Sequence, residues 1–337
     1  MREFTITPNE AEQRFDKYLK KLLSDAPSSF IYKMLRKKNI VLNGKKSDGT
    51  DKLKTGDRVK LFLSDETFDK FSKREAENKE AGSLKQLKDE PLKVLYEDAD
   101  VLILDKPSGM LSQKAKPEDV SANEYILSYL LKKGDLNEEM MQTFKPSVCN
   151  RLDRNTSGIL IAGKSLKGLQ MMSKALKERS LEKYYRCIVS GKLTEDAYLK
   201  GYLKKDAAAN QVAIKTNLPA DAEGYLPIET AYHPIQVYDG YTELEVHLIT
   251  GRSHQIRAHL ASIGHPIIGD TKYGDPKQNE LFRKKARVTS QLLHAYRIRF
   301  PHDFSGVQEK PFEVTAPYGE ELKRAIRFIS QNTKQDT

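Results

Sequence analysis

The polar run from Asn150 to Gly158, NRLDRNTSG, carries the most chemistry for its length of any stretch in the sequence. It sets one carboxylate, Asp153, between two arginines, Arg151 and Arg154. Neighbouring cations favour the ionised carboxylate, which is the form that a nucleophile or a general base requires. An isolated Arg–Asp turn is more often structural, so this pattern by itself leaves both roles open.

The apolar residues from Gly158 to Ala162 predict a buried strand directly after this run. The same residues, extended to Ser165, match the Walker A pattern, and Val101 to Asp105 resembles Walker B. A P-loop needs an open, glycine-rich loop between a strand and a helix. Here the spacer residues are those of the strand, and the Walker B-like segment comes first. We therefore interpret the match as a core strand and not as an NTPase site.

The sequence predicts no metal and no cofactor. His254 and His259 are five residues apart, no HExxH motif occurs, and both histidines are interpreted as structural or RNA-contacting. Cys149 and Cys187 are too few for a disulfide framework or a four-cysteine zinc site. No apolar run approaches the roughly 20 residues of a membrane-spanning helix, and the first residues lack a secretory signal, so we expect a cytoplasmic protein without membrane association.

Length and charge divide the chain into three predicted zones. The 337 residues suit about two domains and carry a formal net charge of +10, of which residues 1–63 hold fifteen Lys/Arg against eight Asp/Glu. Residues 65–90 are rich in charge and have too few apolar residues for a buried face, which predicts a linker that is helical in part. We expect a basic domain over 1–64, a linker over 65–90 and a larger domain over 91–325, with nucleic acid as the partner.

Within the basic zone, apolar residues recur at helical spacing in two segments. The first segment contains Phe15, Tyr18, Leu19, Leu22 and Leu23, and the second, starting at Ser28 or Ser29, turns Ile31, Met34 and Leu35 inward. The outer face of the second helix carries Lys33, Arg36 and Lys37, and Lys45 and Lys46 follow the turn at Asn43-Gly44. A solvated helix face is the plain alternative, but the adjacent cations in so basic a module favour contacts to phosphate.

These N-terminal residues resemble the S4 RNA-binding domain. The resemblance rests on Arg14-x-Asp16-x-x-Leu19, the helix from Ser28 to Lys38, Val41-Leu42-Asn43-Gly44 and Gly56-Asp57-x-Val59. It implies that the module binds structured RNA through the basic second helix and the strand edge beside it.

The remainder of the chain resembles the RluA-type pseudouridine synthases, and the S4-like start points to the branch that modifies ribosomal RNA. The motifs that carry this resemblance surround Asp153 in the sequence: Val94 to Asp98, Leu104 to Gly109, Asn150 to Gly158, Lys183 to Val189, Thr250 to His259, Gly264 to Asp270, Tyr273-Gly274 and Leu293 to Ala295. The implied fold is α+β, with a small α/β S4 domain before a catalytic domain built on a large mixed, mainly antiparallel sheet flanked by helices. The implied reaction is the isomerisation of uridine to pseudouridine in RNA without a cofactor.

The resemblance also implies roles for individual residues. Asp153 is the essential carboxylate, acting as a nucleophile at C1′ or as a base at C2′. Tyr185, not Tyr184, lies against the uracil and helps to remove the C5 proton, although a core aromatic on its strand is the alternative. Arg257 pairs with Asp153 and orients it. Arg151 takes the gap that the flipped base leaves in its stack.

Further RNA contacts are expected from Arg154, Arg252 and His254. Two positions depart from the family pattern: Asn150 stands where many members have His, and Cys187 replaces a smaller residue. Both departures bear on fine substrate choice. We expect a monomer acting on 23S-type ribosomal RNA, with transfer RNA as the alternative substrate. A non-catalytic RNA-binding or ribosome-assembly factor is the main rival, against which the intact Asp153, Tyr185 and Arg257 positions argue.

Overall fold

The computed structural model describes residues 1–72, 74–88, 93–206, 211–218, 223–301 and 313–333. By internal contacts the chain divides into two compact units. The first consists of residues 1–103, 113–150 and 161–174, and the second of residues 104–112, 151–160 and the chain from 175 onward. Within the described ranges, no helix combines the length and the apolar character needed to cross a membrane.

The first unit begins with a small three-stranded antiparallel sheet and two helices. Its elements are β1 (Arg2–Thr5), α1 (Phe15–Leu22), α2 (Ser28–Arg36), β2 (Ile40–Leu42) and β3 (Arg58–Leu61). The strand order is β1-β3-β2. The apolar residues predicted to face inward on both helices are all buried, which confirms the two predicted helices.

The segment predicted to be a linker forms two helices, α3 (Asp65–Phe71) and α4 (Arg74–Lys85). Its apolar residues are sparse but they are buried: Phe68 joins the core of the small sheet, and Ala81 and Leu84 are also covered. The expectation that this segment has no buried face was therefore wrong. Residues 73, 89 and 90 lie outside the described residues, and the domain boundaries at 64 and 90 stay a prediction.

Later parts of the chain complete the first unit. They are β4 (Lys93–Glu97), the start of β5 (Val101–Lys106), α5 (Ala122–Lys133), α6 (Glu138–Thr143), β6 (Ser147–Val148), the end of β7 (Ser157–Gly163) and most of α7 (Leu166–Glu178). The predicted core strand is β7, which confirms the reading of the Walker-like match. Lys164, the lysine of that match, forms ion pairs with Glu97 and Asp135.

The remaining elements belong to the second unit. They are β8 (Glu182–Ser190), β9 (Ala197–Asp206), β10 (Gln211–Lys215), β11 (Tyr225–Val237), β12 (Tyr241–Leu248), α8 (Gln255–Ser262), α9 (Pro276–Ala286), β13 (Leu293–Arg299), β14 (Glu313–Thr315) and α10 (Glu320–Thr333).

In the part of the chain that the structure describes, a sheet of eleven strands carries the motifs singled out in the sequence. Its order is β10-β9-β11-β12-β8-β13-β7-β5-β4, with β14 paired to β13 and β6 paired to β7. β13 and β7 run parallel, whereas β8 pairs antiparallel with both β12 and β13. This mixed, mainly antiparallel sheet with flanking helices confirms the predicted α+β fold class.

Gly158 is required where β7 begins, directly after the Asp153 loop. Its φ of +102° lies in the left-handed region, and a Cβ built there would come within 2.2 Å of the carbonyl oxygen of Ala295 on β13. Any side chain would therefore push β7 away from β13. The glycine fixes where the loop leaves the sheet, and hence where Asp153 stands.

Candidate active site

Asp153 lies on a loop whose backbone is hydrogen-bonded to other residues of the second unit. The hydroxyl of Ser112 donates to the carbonyl of Leu152 and accepts from the Leu152 amide, both at 3.0 Å. The amide of Thr156 donates to the Asp153 carbonyl at 3.0 Å. A loop whose backbone groups are bonded on both sides of Asp153 holds the carboxylate in one position.

Lys106 provides a second fastening. Its side chain is fully buried, and its ammonium donates to the carbonyls of Pro107, Met110 and Arg154 at 2.9, 2.8 and 3.1 Å. Three carbonyls satisfy all three donors of the group. Burial lowers the pKa of Lys106 to about 7, while the charge of Asp153 acts in the opposite direction. Lys106 therefore joins the loop to the residues that follow β5.

A buried ion pair orients the partner of Asp153. Arg257, on α8, donates through Nε and Nη2 to the two carboxylate oxygens of Asp270 at 2.7 and 2.9 Å. Its Nη1 donates to Oδ2 of Asp153 at 2.8 Å. Asp270 is fully buried and the Arg257 side chain is 6% exposed, whereas that of Asp153 is 29% exposed. The arginine is thus fixed on its inner side, and its outer nitrogen points to a carboxylate that substrate can reach.

The pKa shifts of the inner pair agree with this geometry. Burial acts to lower the pKa of Arg257, but the hydrogen bonds and charges of Asp270, and then of Asp153, outweigh it and raise the pKa. Burial acts to raise the pKa of Asp270, but the hydrogen bonds and charge of the Arg257 guanidinium outweigh burial and lower it. Both groups therefore remain ionised, and Arg257 keeps a positive charge against Asp153 at any physiological pH.

His254 stands beside Asp153 in a strained backbone conformation. It is the residue before α8, its φ is +54°, and its Nε2 lies 3.9 Å from Oδ2 of Asp153. The hydroxyl of Tyr273 accepts from the Val212 amide at 2.8 Å, so its own hydrogen is available to Nδ1 of His254, 3.0 Å away. When the phenol donates to Nδ1, the ring hydrogen is on Nε2, on the side of Asp153. Burial lowers the pKa of His254, although the charge of Asp153 acts to raise it. The lowered pKa favours the neutral ring.

Two adjacent tyrosines of β8 have different surroundings. Tyr185 is 8% exposed, and burial, followed by the charge of Asp153, raises the pKa of its hydroxyl. Tyr184 stacks on His247 with ring centroids 4.7 Å apart, and the guanidinium of Arg297 lies 4.3 Å from the centre of its ring. Successive residues of a strand point to opposite faces. Of these two tyrosines, only Tyr185 is coupled electrostatically to Asp153.

The structure brings Asp153, Arg257 and His254 into direct proximity, with Tyr185 near enough to feel the charge of Asp153. Arg151, Arg154 and Arg252 are exposed, the first two on the Asp153 loop and the third in the turn before α8. The four cations predicted to bind RNA in the first unit are also exposed: Lys33, Arg36, Lys37 and Lys45.

Three further positions singled out in the sequence have internal contacts. His259 is buried, with its Nδ1 3.0 Å from the hydroxyl of Thr230, which fits the structural reading of this histidine. Asn150 accepts a hydrogen bond from the amide of Ile161 at 2.8 Å, and Cys187 is fully buried in β8.

Sequence reasoning gave no role to Asp270 or Lys106. Each is a charged residue at the end of an apolar run, Pro266 to Gly269 in one case and Val101 to Leu104 in the other. A charge in such a position is seldom buried unless it is paired or fully hydrogen-bonded. A charged residue after an apolar run could therefore have identified both residues as structural supports of a site. It could not have identified the residues to which they are bonded.

The arrangement supports chemistry on a ligand that reaches Asp153 from the solvent side. It offers a partly exposed carboxylate, a fixed cation bonded to that carboxylate, a neutral imidazole and a protonated phenol. Among the described residues, no group of three or more His, Cys, Asp or Glu side chains is suited to hold a metal ion.

Comparisons with known proteins agree with one another. The family model for RNA pseudouridylate synthase matches residues 100–262. Ribosomal large subunit pseudouridine synthase C of Vibrio vulnificus is 30% identical over 330 residues, covering 96% of this chain and 95% of that protein. Ribosomal large subunit pseudouridine synthase D of Nitrosomonas europaea is 28% identical over 308 residues, covering 90% and 81%.

Among solved structures, human RNA pseudouridylate synthase domain containing 4 has a TM-score of 0.55 at 16% identity. The match covers 76% of this chain and 97% of that chain. At this level of identity the likeness concerns the fold alone.

Proposed function

Because the chain belongs to the RNA pseudouridylate synthase family, as an isomerase of the RluA type, we propose that it converts uridines of large-subunit ribosomal RNA to pseudouridine with Asp153 as the essential group. The names of its relatives in Vibrio vulnificus and Nitrosomonas europaea support this substrate class. The reaction is a net isomerisation that neither oxidises nor reduces the nucleotide, so it needs no redox cofactor. We further propose that the enzyme works as a monomer in the cytoplasm.

The observation that carries the proposal is the chain of contacts from buried Asp270 through Arg257 to partly exposed Asp153. A carboxylate that only stabilised the fold would gain from being covered and bonded on all sides. Asp153 instead keeps part of its surface open while a rigid cation holds it in place. This combination suits a group that must meet substrate in its charged form.

The bonds balance without an external reactant. The N1–C1′ bond of uridine breaks, the uracil turns while it is still bound, and a C5–C1′ bond forms. C5 then loses its proton, and N1 carries one at the end. The protein has to protect the separated base from water, act on the ribose and move one proton.

Asp153 can act on the ribose in two ways. As a nucleophile it would bond to C1′ and release uracil, and as a base it would remove the proton from C2′. Deuterium at C2′ separates the two routes, because only proton removal breaks the C2′–H bond. A primary isotope effect on single-turnover rates supports the base, and its absence supports the nucleophile.

Tyr185 would lie against the uracil. The raised pKa of its hydroxyl keeps the phenol protonated, so it can relay the C5 proton only by passing its own proton on. The negative charge of Asp153 favours the protonated form of this hydroxyl, so it would support uptake of the C5 proton and oppose loss of the phenolic proton.

Contacts to the rest of the RNA would come from two sets of cations. Exposed Arg151, Arg154 and Arg252 surround the catalytic loop, with Arg151 filling the gap left by the flipped base. In the first unit the exposed face of α2, together with Lys45, would bind phosphates of structured RNA in the manner of an S4 domain.

Asp153→Asn tests the proposal directly. The change removes charge but little volume, so we expect no pseudouridine formation and RNA affinity within a few-fold of the wild type. The assay is tritium release from 5-tritiated uridine in large-subunit RNA. Asp239→Asn, which alters an exposed carboxylate paired with Lys192, is the matched control and should be fully active. Multiple turnover by the Asp153 variant would refute the assignment.

A further inference from the structure

A surplus of positive charge in the second unit is concentrated on two helices. Over the residues of the second unit (104–112, 151–160 and 175–337) the sequence holds 27 Lys/Arg against 22 Asp/Glu, a surplus of five. Residues 276–287, which contain α9, hold five Lys/Arg against one acid, and residues 320–327 of α10 hold three against two. These two short segments therefore account for a surplus equal to that of the whole region, and the remainder of it is balanced.

The two helices form one continuous surface. Phe282 of α9 and Phe328 of α10 pack edge to face with ring centroids 5.3 Å apart. Arg324 of α10 donates to the carbonyls of Ala286 and Arg287 at the end of α9, each at 3.0 Å. The cations that this packing leaves exposed define the α9–α10 cationic face: Lys277, Arg283, Lys284, Lys285, Arg287, Lys323 and Arg327.

Helix stability accounts for only part of this charge. Cations in the last turn of α9 interact favourably with the helix dipole, but Lys277 lies in the first turn, where a cation is unfavourable. Glu280 forms ion pairs with Arg283 and Lys284, and these three side chains are 44%, 62% and 66% exposed. Exposed pairs of this kind contribute little to folding. Over the two segments, eight cations against three acids leave a surface that repels itself until an anion covers it.

The face starts at the candidate active site. Asn279, in the first turn of α9, donates to the Asp270 carbonyl at 2.8 Å and accepts from the Gly269 amide at 2.7 Å. Lys285 is six residues further along the helix, or about 9 Å at 1.5 Å per residue. That distance corresponds to roughly three nucleotides of a strand at 3.4 Å each. RNA that presents a uridine to Asp153 would pass this face within a few nucleotides.

We propose that the α9–α10 cationic face contacts phosphates of the RNA that flanks the target uridine, independently of the basic face of α2. This inference rests on the proposed function, because it takes the RNA that reaches Asp153 as its ligand. The contact adds affinity without chemistry, so it acts on the binding of RNA and leaves turnover at saturation unchanged.

The test replaces Lys277, Lys284 and Lys285 together by Gln, which keeps the side chains long and suits a helix. Each lost phosphate contact lowers the log–log salt slope of binding by roughly 0.7–0.9, so the triple variant should lose about two units with a large-subunit RNA transcript. KM for that RNA should rise, and kcat should stay within twofold. The same three positions changed to Arg keep the charges and should behave like the wild type.

A second triple variant controls for net charge alone. Lys133, Lys167 and Lys192 are also exposed, each is ion-paired with an acid, and their change to Gln removes the same three charges. We expect its salt slope to match that of the wild type. An unchanged slope in the α9 variant, or an equal loss in the control, would overturn the inference. If the wild-type protein formed no pseudouridine at all, the proposed function would fail instead. The salt slopes would then still show whether the α9–α10 cationic face binds RNA.

Discussion

Asp270→Asn removes one charge from the buried pair that orients Arg257 while it keeps the size of the side chain. An Asn amide can still accept from the Lys272 and Tyr273 amides through its oxygen, as Oδ1 of Asp270 does at 2.9 and 3.2 Å. Its NH2 group then faces Nε of Arg257, donor against donor. Arg257 would lose its bidentate partner and its fixed direction toward Asp153.

Two magnitudes follow from the geometry. Removing one member of a buried ion pair costs roughly 3–5 kcal/mol, so the free energy of unfolding should fall by about that amount. A charge-assisted hydrogen bond contributes roughly 1.5–3 kcal/mol. If the bond from Arg257 to Asp153 is lost, then kcat should fall about 10- to 150-fold, at roughly 1.36 kcal/mol for each factor of ten.

The assay is tritium release at saturating RNA, with urea unfolding in parallel. Asn279→Ala is the matched control, because Asn279 holds the same loop through the Asp270 carbonyl but does not touch Arg257. It should lose stability with a much smaller loss of kcat. KM for RNA should change little in either variant.

A double-mutant cycle decides whether Asp270 acts through Arg257. Arg257→Ala alone should lower kcat by roughly 10²–10⁴-fold, as removal of a positioned catalytic group does. Adding Asp270→Asn to that variant should then cost little more. If the two losses multiplied in full, Asp270 would act by a route other than the arginine, and the reasoning would be wrong.

Further predictions concern the loop, the strand and the core. Gly158→Ala should lower both stability and activity strongly, because its Cβ would overlap the backbone of Ala295, and urea unfolding measures the loss. Tyr185→Phe should bind RNA yet turn over far more slowly, whereas Tyr184→Phe should keep most activity; the reverse result in the tritium assay would reverse the assignment. Burial lowers the pKa of His294 from 6.5 to about 4, so stability is complete above pH 6.5 and falls by about 3 kcal/mol as pH drops toward 4. His294→Gln should flatten that pH dependence in urea titrations.

Local patterns in the sequence predicted the elements that depend on local physics. The helical spacing of apolar residues located α1 and α2, and the uninterrupted apolar run located β7. The charged segment after β3 misled the same reasoning, because α3 and α4 are covered at only a few positions. Phe68 of α3 and Ala81 and Leu84 of α4 are buried there, and Lys145 forms ion pairs with Glu77 and Glu80 of α4.

The sequence predicted the site residues that belong to recognisable motifs, but not the contacts between residues that are far apart in the chain. Asp153 and Arg257 are 104 residues apart, and their contact was predicted from the family resemblance and not from their spacing. Asp270 had a place in a motif but no role, since its bidentate contact depends on how the segment after α8 folds back beneath the helix. Spacing along the chain does not encode such a contact.

The first compact unit is assembled from three separate stretches of chain, so its parts become available for folding at different times during synthesis. Glu10 accepts a hydrogen bond from Thr143, 133 residues later, and α1 packs against α6. At roughly 5–20 residues per second, the N-terminal helices emerge on the order of ten seconds before the partners that cover them. Throughout that interval they expose surface that the finished fold buries. The segment that holds α1 and α2 is therefore a binding site for a chaperone during synthesis, and a ribosome stalled before α6 would display it.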